Sequence, residues 1–326
     1  MRALAALVVL IAACAAPDAP AQPAAPPPAQ QTPAALPSDP TPPPAPTELT
    51  LDCAGAFTQG GIALCRTRPG ARIEVDGVPS GQADTQGWAV IGFTREHGPE
   101  VVVRAIGDFS RVGGAGDEAI VTPIIRTLDQ RYAVAPRQFD IQRVDGLPQN
   151  TVTPSDPALL ERIRREAALK AQGFASVAPI EGFLDGFILP IEGGRVSGTW
   201  GNQRILNGTP STPHFGYDIA APEGTPIHAP AAGVVTLAQT DMHYEGGLVF
   251  IDHGQGLITM YLHMSRLDVH EGDRVTQGQV IGAVGARGRA TGPHLCWRMK
   301  WRDRQLDPSV AIAGLEQARA TLLARR

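Results

Sequence analysis

Residues 248–263 have the sequence LVFIDHGQGLITMYLH, in which two apolar runs flank a turn that contains glycine. The runs, Leu248–Asp252 and Ile258–His263, are rich in the β-branched and aromatic residues that buried strands favour. A third apolar run, Val280–Val284, follows further along the chain. This pattern predicts a β domain over about residues 184–310.

The composition of the 326-residue chain favours short strands and turns over long helices. Glycine (36) and proline (30) are abundant, and 43% hydrophobic content is sufficient for a buried core. At roughly 150 residues per domain, the length allows two domains. The formal net charge of −4 provides no general positive field, so we expect no nucleic-acid partner. The predicted fold class is therefore mainly β.

Residues 49–146 are predicted to form a small N-terminal β domain, because short β-type runs alternate there with turn signals. The runs are Leu49–Leu51, Ala71–Val75, Trp88–Phe93, Val101–Arg104 and Phe139–Gln142. Cys53 and Cys65 lie on either side of a Gly60-Gly61 turn, and export would permit a disulfide between them. Metal binding by this pair is the less favoured alternative, because two thiols without a nearby third ligand make a poor zinc site.

A helical connector over residues 147–183 is predicted between the two β domains. Asp156-Pro157 is a typical start signal and Gly173 a typical stop signal, so the sequence predicts a helix at about residues 157–172. A second helical segment is predicted as a C-terminal tail over residues 311–326.

The first 48 residues predict export and anchoring rather than a folded domain. Residues 1–13 form a signal peptide whose apolar run is too short to span a bilayer. Ile-Ala-Ala before Cys14 resembles the bacterial lipobox, which implies a lipid on Cys14 followed by a Pro/Ala-rich tether over residues 14–48. Ala15 then favours a lipoprotein on the periplasmic side of the outer membrane. Ordinary cleavage is the alternative, and it would give a free periplasmic protein.

Short segments of the C-terminal β region carry the candidate site residues. His214 and Asp218 are four positions apart, and His294 and Cys296 are two apart, spacings that place each pair on one face of a strand. Imidazole, carboxylate and thiolate are all zinc ligands, and three protein ligands leave a fourth position open. The pattern predicts a metal site formed by His214, Asp218 and Cys296, with His263 and His294 beside it as proton-handling residues.

These motifs resemble the M23 family of zinc metallopeptidases, the lysostaphin and LytM-like peptidoglycan endopeptidases. The matching motifs are His214-x-x-x-Asp218 with the following Ile-Ala-Ala-Pro, Ile251-Asp252-His253-Gly254, Tyr261-x-His263 and Gly292-Pro293-His294-Leu295. The resemblance implies an antiparallel β-sheet, barrel-sandwich-like domain with one Zn²⁺ per chain, bound by His214 and Asp218. It implies that His263 and His294 are catalytic and act on the attacking water and the transition state. The implied reaction is hydrolysis of amide bonds in the stem or cross-bridge peptides of peptidoglycan.

The chain departs from this family at Cys296, where the family has the last histidine of a His-x-His motif. Cysteine is itself a zinc ligand, so a site of His214, Asp218 and Cys296 is chemically coherent and favours an active metalloendopeptidase. The alternative is a degenerate domain that binds peptidoglycan and activates a separate amidase partner. A biotin or lipoate carrier domain is excluded, because no lysine lies between Lys170 and Lys300.

Overall fold

The computed structural model describes residues 48–109, 111–113, 120–122 and 124–325. The predicted signal peptide, Cys14 and the tether up to residue 47 lie outside these residues. Within the described part of the chain, no helix is long and apolar enough to cross a membrane. The described structure is mainly β, as the sequence predicts.

The described strands that precede the first helix are β1 (Leu51–Gly55), β2 (Ile62–Thr67), β3 (Arg72–Val75), β4 (Val78–Gln82), β5 (Trp88–Gly92), β6 (Glu100–Asp108), β7 (Arg111–Gly113), β8 (Ile120–Thr122), β9 (Ile125–Ala133) and β10 (Ile141–Val144). One sheet has the order β1-β2-β5, a second has the order β4-β3-β6-β9, and β7 pairs with β8. Alternate residues of β6 are buried, which gives the sheet one core-facing side. Cys53 and Cys65 lie opposite each other on β1 and β2 and are joined by a disulfide, the pairing that the sequence predicts.

Two helices, α1 (Gln149–Val152) and α2 (Pro157–Phe174), follow these strands, and a short 3-10 helix covers Gly182–Leu184. Helix α2 begins after Asp156, whose Oδ2 accepts a hydrogen bond from the Leu159 backbone nitrogen at 2.9 Å. Gly173 lies inside α2 and does not end it. A Cβ at Gly173 would lie 3.0 Å from the Phe250 ring, so this glycine permits close packing of the helix and is not a stop signal.

The remaining strands carry the candidate site residues. They are β11 (Arg195–Gly198), β12 (Gln203–Leu206), β13 (Thr209–Pro210), β14 (Tyr217–Ala220), β15 (Pro226–His228), β16 (Gly233–Met242), β17 (Gly246–Asp252), β18 (Leu257–Met264), β19 (Arg266–Leu267), β20 (Arg274–Val275), β21 (Val280–Ala283), β22 (His294–Trp301) and β23 (Arg304–Leu306). The main sheet has the order β11-β14-β22-β18-β17-β16-β20, with β23 on β22, and its pairs are antiparallel. Strands β15, β21 and β19 form a smaller sheet. Every residue of β17 and β18 is buried, as their apolar sequences require.

A continuous hydrophobic core joins the strands before and after the helical connector. Strand β10 also pairs in parallel with β12, which links the two β regions through one small sheet. The last helix, α3 (Pro308–Ala324), packs against β1 and β2. Asp307 caps α3 through the Ser309 backbone nitrogen at 2.9 Å and binds Arg137 at 2.8 Å. The domain boundary near residue 146 stays a prediction.

Candidate metal centre

Adjacent strands of the main sheet bring the three predicted metal ligands together. The register of β14 on β22 places Asp218 directly opposite Cys296. Opposed residues of antiparallel strands share one face, so these two side chains converge. His214 lies just before β14, where its backbone nitrogen donates to Asn202 O at 2.8 Å and its carbonyl accepts from Gly201 N at 2.7 Å.

The ligand atoms of these three buried residues all lie within 4.8 Å of one another. His214 Nε2 lies 3.2 Å from Asp218 Oδ1 and 3.4 Å from Cys296 Sγ. In a Cys-His-Asp nucleophile triad, the thiol and the carboxylate contact opposite nitrogens of the imidazole ring. Here both contact Nε2, and His214 Nδ1 is buried without a partner among the described residues. The arrangement is therefore a convergent ligand set and not a proton relay to a nucleophilic thiol.

The residues present fit a metal ion. Asp218 Oδ1 is buried next to His214 but forms no hydrogen bond with any described residue. This carboxylate oxygen is therefore available to bind a metal ion. The space beside it is kept open by glycine: a Cβ at Gly216 would lie 2.4 Å from Cys296 Sγ and 2.8 Å from His214 Nε2. Nitrogen, oxygen and sulfur donors in one group match the preference of zinc.

The protonation states of two ligands also suit a metal site. Burial lowers the pKa of His214, which keeps the imidazole neutral. Burial alone would raise the pKa of Asp218, but the adjacent imidazole of His214 and the positive charge of Arg204 hold it below its usual range. Burial and the negative charge of Asp218 raise the pKa of the Cys296 thiol to about 12. Cys296 must therefore lose a proton when it binds a metal.

His263 and His294 lie next to each other, with ring centroids 4.7 Å apart. His263 Nδ1 donates to the Arg287 carbonyl at 2.8 Å, and His294 Nδ1 donates to the Gly292 carbonyl at 2.8 Å. These bonds place a ring proton on Nδ1 of each histidine and leave Nε2 as the nitrogen that can exchange a proton. Burial, followed by the nearby His294, lowers the pKa of His263 to about 3, so its imidazole is neutral at pH 7.

Comparison with known protein families identifies the stretch of sequence that contains these residues. Residues 212–308 match the sequence model of Peptidase family M23. This stretch is an M23 peptidase domain. It contains all three residues of the candidate metal group and both histidines beside it.

The chain is similar to parts of longer enzymes. Over 95 residues, 29% of this chain, it is 42% identical to the peptidoglycan DD-endopeptidase ShyA of Vibrio cholerae, of which the match covers 22%. Over 108 residues, 33% of this chain, it is 43% identical to the DD-carboxypeptidase/endopeptidase Mpg of Neisseria meningitidis, of which the match covers 25%. The chain thus spans about a quarter of the length of these curated relatives.

One solved structure resembles a larger part of the chain. It is a crystal structure described as a peptidase M23 from Pseudomonas aeruginosa, with a TM-score of 0.55 and 29% identity. The match covers 79% of this chain and 96% of that one, so it extends beyond the M23 domain into the preceding β region. The likeness agrees with the antiparallel β architecture described above.

The backbone of the M23 domain turns His263 towards His294. Leu262 is opposite Cys296 in the β18–β22 register, so regular alternation would place His263 on the other face of the sheet. His263 instead has φ of 67°, a left-handed conformation that non-glycine residues adopt uncommonly. This departure from strand geometry redirects the side chain, and such strain is concentrated at functional sites.

Two arginines of the site were not predicted from the sequence. Arg204 binds Asp218 Oδ2 at 2.8 Å, which leaves Oδ1 facing the other ligands. Arg298 donates from Nε to Cys296 Sγ at 3.4 Å. The two-residue spacing of Cys296 and Arg298 on one strand is a signal that could have found Arg298. Arg204 comes from a separate sheet, and no local pattern points to it.

His253, within the Asp-His-Gly motif, has a structural role. Its Nδ1 donates to the Ala232 carbonyl at 2.8 Å, and its Nε2 accepts from the Thr259 hydroxyl at 2.7 Å. Thr259 in turn contacts the Tyr261 hydroxyl at 2.8 Å. Both ring nitrogens of His253 are thus occupied, so this histidine has no nitrogen available for a metal.

Proposed function

We propose that this protein is a zinc-dependent endopeptidase that hydrolyses amide bonds in peptidoglycan peptides. The observation that carries the proposal is the convergence of His214 Nε2, Asp218 Oδ1 and Cys296 Sγ, with His263 and His294 in contact beside them. Relatives of this chain named as a peptidoglycan DD-endopeptidase and a DD-carboxypeptidase/endopeptidase support this substrate class. A link between D-alanine and diaminopimelate is the cross-link that we expect it to cut.

His214, Asp218 and Cys296 would bind one Zn²⁺ per chain. Bound zinc would supply Lewis acidity towards the peptide carbonyl and make water acidic enough to act as a nucleophile near neutral pH. The missing side chain at Gly216 leaves space for an ion beside the ligand atoms. Arg204, on the second oxygen of Asp218, fixes the orientation of that carboxylate.

His263 and His294 would handle the protons of the reaction. The Arg287 carbonyl holds the proton of His263 on Nδ1, so its Nε2 can accept a proton from the attacking water. His294 is oriented in the same way by Gly292 and lines the cavity next to the ligands. Its Nε2 is placed to carry the proton that would be transferred to the leaving amine.

The proposal includes export and a lipid anchor on Cys14, at the periplasmic side of the outer membrane. It is supported by the lipobox-like sequence before Cys14 and by the disulfide between Cys53 and Cys65, which persists in oxidising compartments. Intact-mass analysis of the protein extracted from its host membranes tests this part. A mature N-terminus other than a lipidated Cys14 would contradict the anchor.

The function is tested by digesting purified sacculi with the full chain and analysing its metal content. We expect one zinc per chain, release of muropeptides, and loss of both after treatment with a chelator, with recovery on zinc addition. Protein that contains zinc, releases nothing and stimulates an added amidase would instead favour the degenerate, activating domain.

A further inference from the structure

A cavity of about 300 Å³ opens beside the candidate metal centre. One wall contains Asp218 and His294, and three arginines line it: Arg195, Arg204 and Arg289. Asp218 is the one acidic residue among the described lining residues, and it is already bound by Arg204 and faces the metal ligands. The cavity therefore carries an excess of positive charge before any metal is added.

Two of the cavity arginines, Arg195 and Arg289, form no ion pair with a described carboxylate, and Arg289 is the less exposed of the two. Its side chain is half-buried, one guanidinium nitrogen donates to the Thr151 carbonyl at 3.2 Å, and the guanidinium carbon lies 4.9 Å from the Tyr244 ring centroid. Within the described residues, no carboxylate lies within ion-pair distance of it. A guanidinium has five N–H donors, so one carbonyl leaves most of its capacity unused.

The surroundings of Arg289 make its unused N–H donors energetically unfavourable. Burial lowers the pKa of Arg289, and the positive charges of Arg298 and Arg204 lower it further, whereas Tyr244 and the negative charge of Glu245 act in the opposite direction. Arginine nevertheless stays charged in proteins. A partly buried cation that no carboxylate contacts directly is stabilised when an anion joins it. Nearby Ser197 and Thr291 also line the cavity and offer hydroxyl donors. A planar carboxylate matches the paired N–H groups of a guanidinium better than a spherical anion does.

We propose that Arg289, with Arg195 of the same cavity, binds a free carboxylate of the peptide substrate beside the scissile amide. This inference rests on the proposed peptidase function and deepens it by naming the substrate chemistry. The cavity would select acidic cross-link peptides over their amidated forms. Two carboxylates are candidates: the one on the carbon bonded to the scissile nitrogen, as in diaminopimelate, and the C-terminal carboxylate of a stem peptide.

The test uses three otherwise identical synthetic cross-linked peptides. One has both carboxylates free, one has a carboxamide next to the scissile nitrogen, and one has a carboxamide at the C-terminus. Each is assayed with the full zinc-loaded chain, with Arg289→Gln, and with Arg274→Gln. Arg274 is exposed and lines a different cavity, so Arg274→Gln is the matched control.

We expect the free carboxylate to change kcat/KM by roughly tenfold to a hundredfold, which is the usual effect of a hydrogen bond to a charged group. The wild-type protein should have a kcat/KM higher by this factor for the free peptide than for one of the carboxamides, mainly through KM. Arg289→Gln should reduce that ratio to near one, whereas Arg274→Gln should preserve it. The peptide that shows the effect identifies which carboxylate the cavity binds.

Binding provides a readout that does not need turnover. Calorimetry of the same peptides, in a zinc-loaded His263→Ala background, should show the same preference and the same loss with Arg289→Gln. A preference that survives Arg289→Gln would show that Arg289 does not bind the carboxylate and would overturn the proposal, as would equal binding of all three peptides by the wild-type protein. If no peptide is cleaved but Arg289→Gln abolishes the binding preference, the carboxylate site stands and the hydrolase proposal fails.

Discussion

Arg298 donates a hydrogen bond from Nε to the Sγ of Cys296 across 3.4 Å, from two positions further along β22. A thiolate ligand carries a negative charge that a neutral imidazole would not, and it therefore weakens the Lewis acidity of a bound metal. The guanidinium supplies one compensating positive charge at the sulfur atom. Cysteine with arginine can thus approximate the charge of the histidine that the M23 pattern has at position 296.

The pair Cys296 and Arg298 should behave as an interacting unit. We expect Arg298→Gln to keep zinc and to lower kcat by about tenfold, the effect of losing one hydrogen bond to a charged group. In a Cys296→His background the same substitution should have little effect, because no thiolate remains to be offset. Kinetics of the four proteins form a double-mutant cycle that measures this coupling. Purely additive effects would show that Arg298 acts independently of the sulfur.

Cobalt substitution provides an optical check of the same contact. A hydrogen bond stabilises the thiolate electrons, so its loss in Arg298→Gln should move the sulfur-to-cobalt charge-transfer band to lower energy. An unchanged band would show that Arg298 does not act on the ligand sulfur.

Cys296 itself should be protected by the metal. In zinc-loaded protein we expect Cys296 to resist alkylation, and a chelator should expose it to the reagent once the chain is partly unfolded, because the thiol is buried. Cys296→Ala should lose zinc, whereas Cys296→His should retain it with equal or higher activity. Peptide mass spectrometry after alkylation, at equal denaturant with and without chelator, gives the measurement. Equal labelling in protein that contains one zinc would remove Cys296 from the ligand set.

His263 should separate catalysis from metal binding. His263→Ala should keep zinc, because the residue is not one of the three convergent ligands, and should reduce turnover by about 10²–10⁴-fold as a lost general base. His214→Ala should lose both zinc and turnover. His270→Ala is the control, since that side chain is exposed and does not belong to the ligand group.

The result also distinguishes the two proposed activities. A domain that only activates an amidase has no need of a proton acceptor at position 263. Equal stimulation of an added amidase by wild-type protein and His263→Ala, without any release of muropeptides by either, would contradict the endopeptidase proposal.

The strands that hold the site could be predicted from local sequence because burial leaves a local pattern. The apolar runs at Leu248–Asp252 and Ile258–His263 correspond to β17 and β18, whose residues are all buried. The two-residue spacing of His294 and Cys296 likewise predicted that both side chains lie on one face of a strand. Gly173 was misleading, because its missing side chain serves contact with Phe250, a residue far away in sequence.

Contacts between distant segments could not be predicted in this way. Arg204 reaches Asp218 from β12, a strand whose neighbour β10 lies more than fifty residues earlier in the chain. The left-handed backbone of His263 also has no signature in the residues around it, since non-glycine residues rarely adopt it. The sequence pattern and the resemblance to M23 peptidases both pointed to His263 as a proton-handling residue, but its backbone conformation came only from the structure.

His253 should make the fold sensitive to acid although it lies outside the metal group. It is fully buried, and burial lowers its pKa from 6.5 to about 4. In the unfolded chain His253 takes up a proton as the pH falls through about 6.5, whereas the folded protein resists this until about pH 4. The unfolded state therefore binds more protons across this window, and the free energy of unfolding decreases as the pH falls.

A difference of about 2.5 pKa units corresponds to a loss of about 3 kcal/mol between pH 6.5 and pH 4, with no contribution from His253 above that window. Urea denaturation of metal-free protein at several pH values measures the slope, and chelator in every sample removes competition between protons and zinc. The glutamine in His253→Gln does not titrate, so between pH 6.5 and pH 4 the free energy of unfolding of this variant should decrease by about 3 kcal/mol less than that of the wild-type protein. This comparison holds even if the substitution lowers stability at pH 7. The other buried histidines remain in both proteins and cancel in the comparison. Parallel pH profiles for the two proteins would show that His253 is protonated as readily in the folded chain as in the unfolded one.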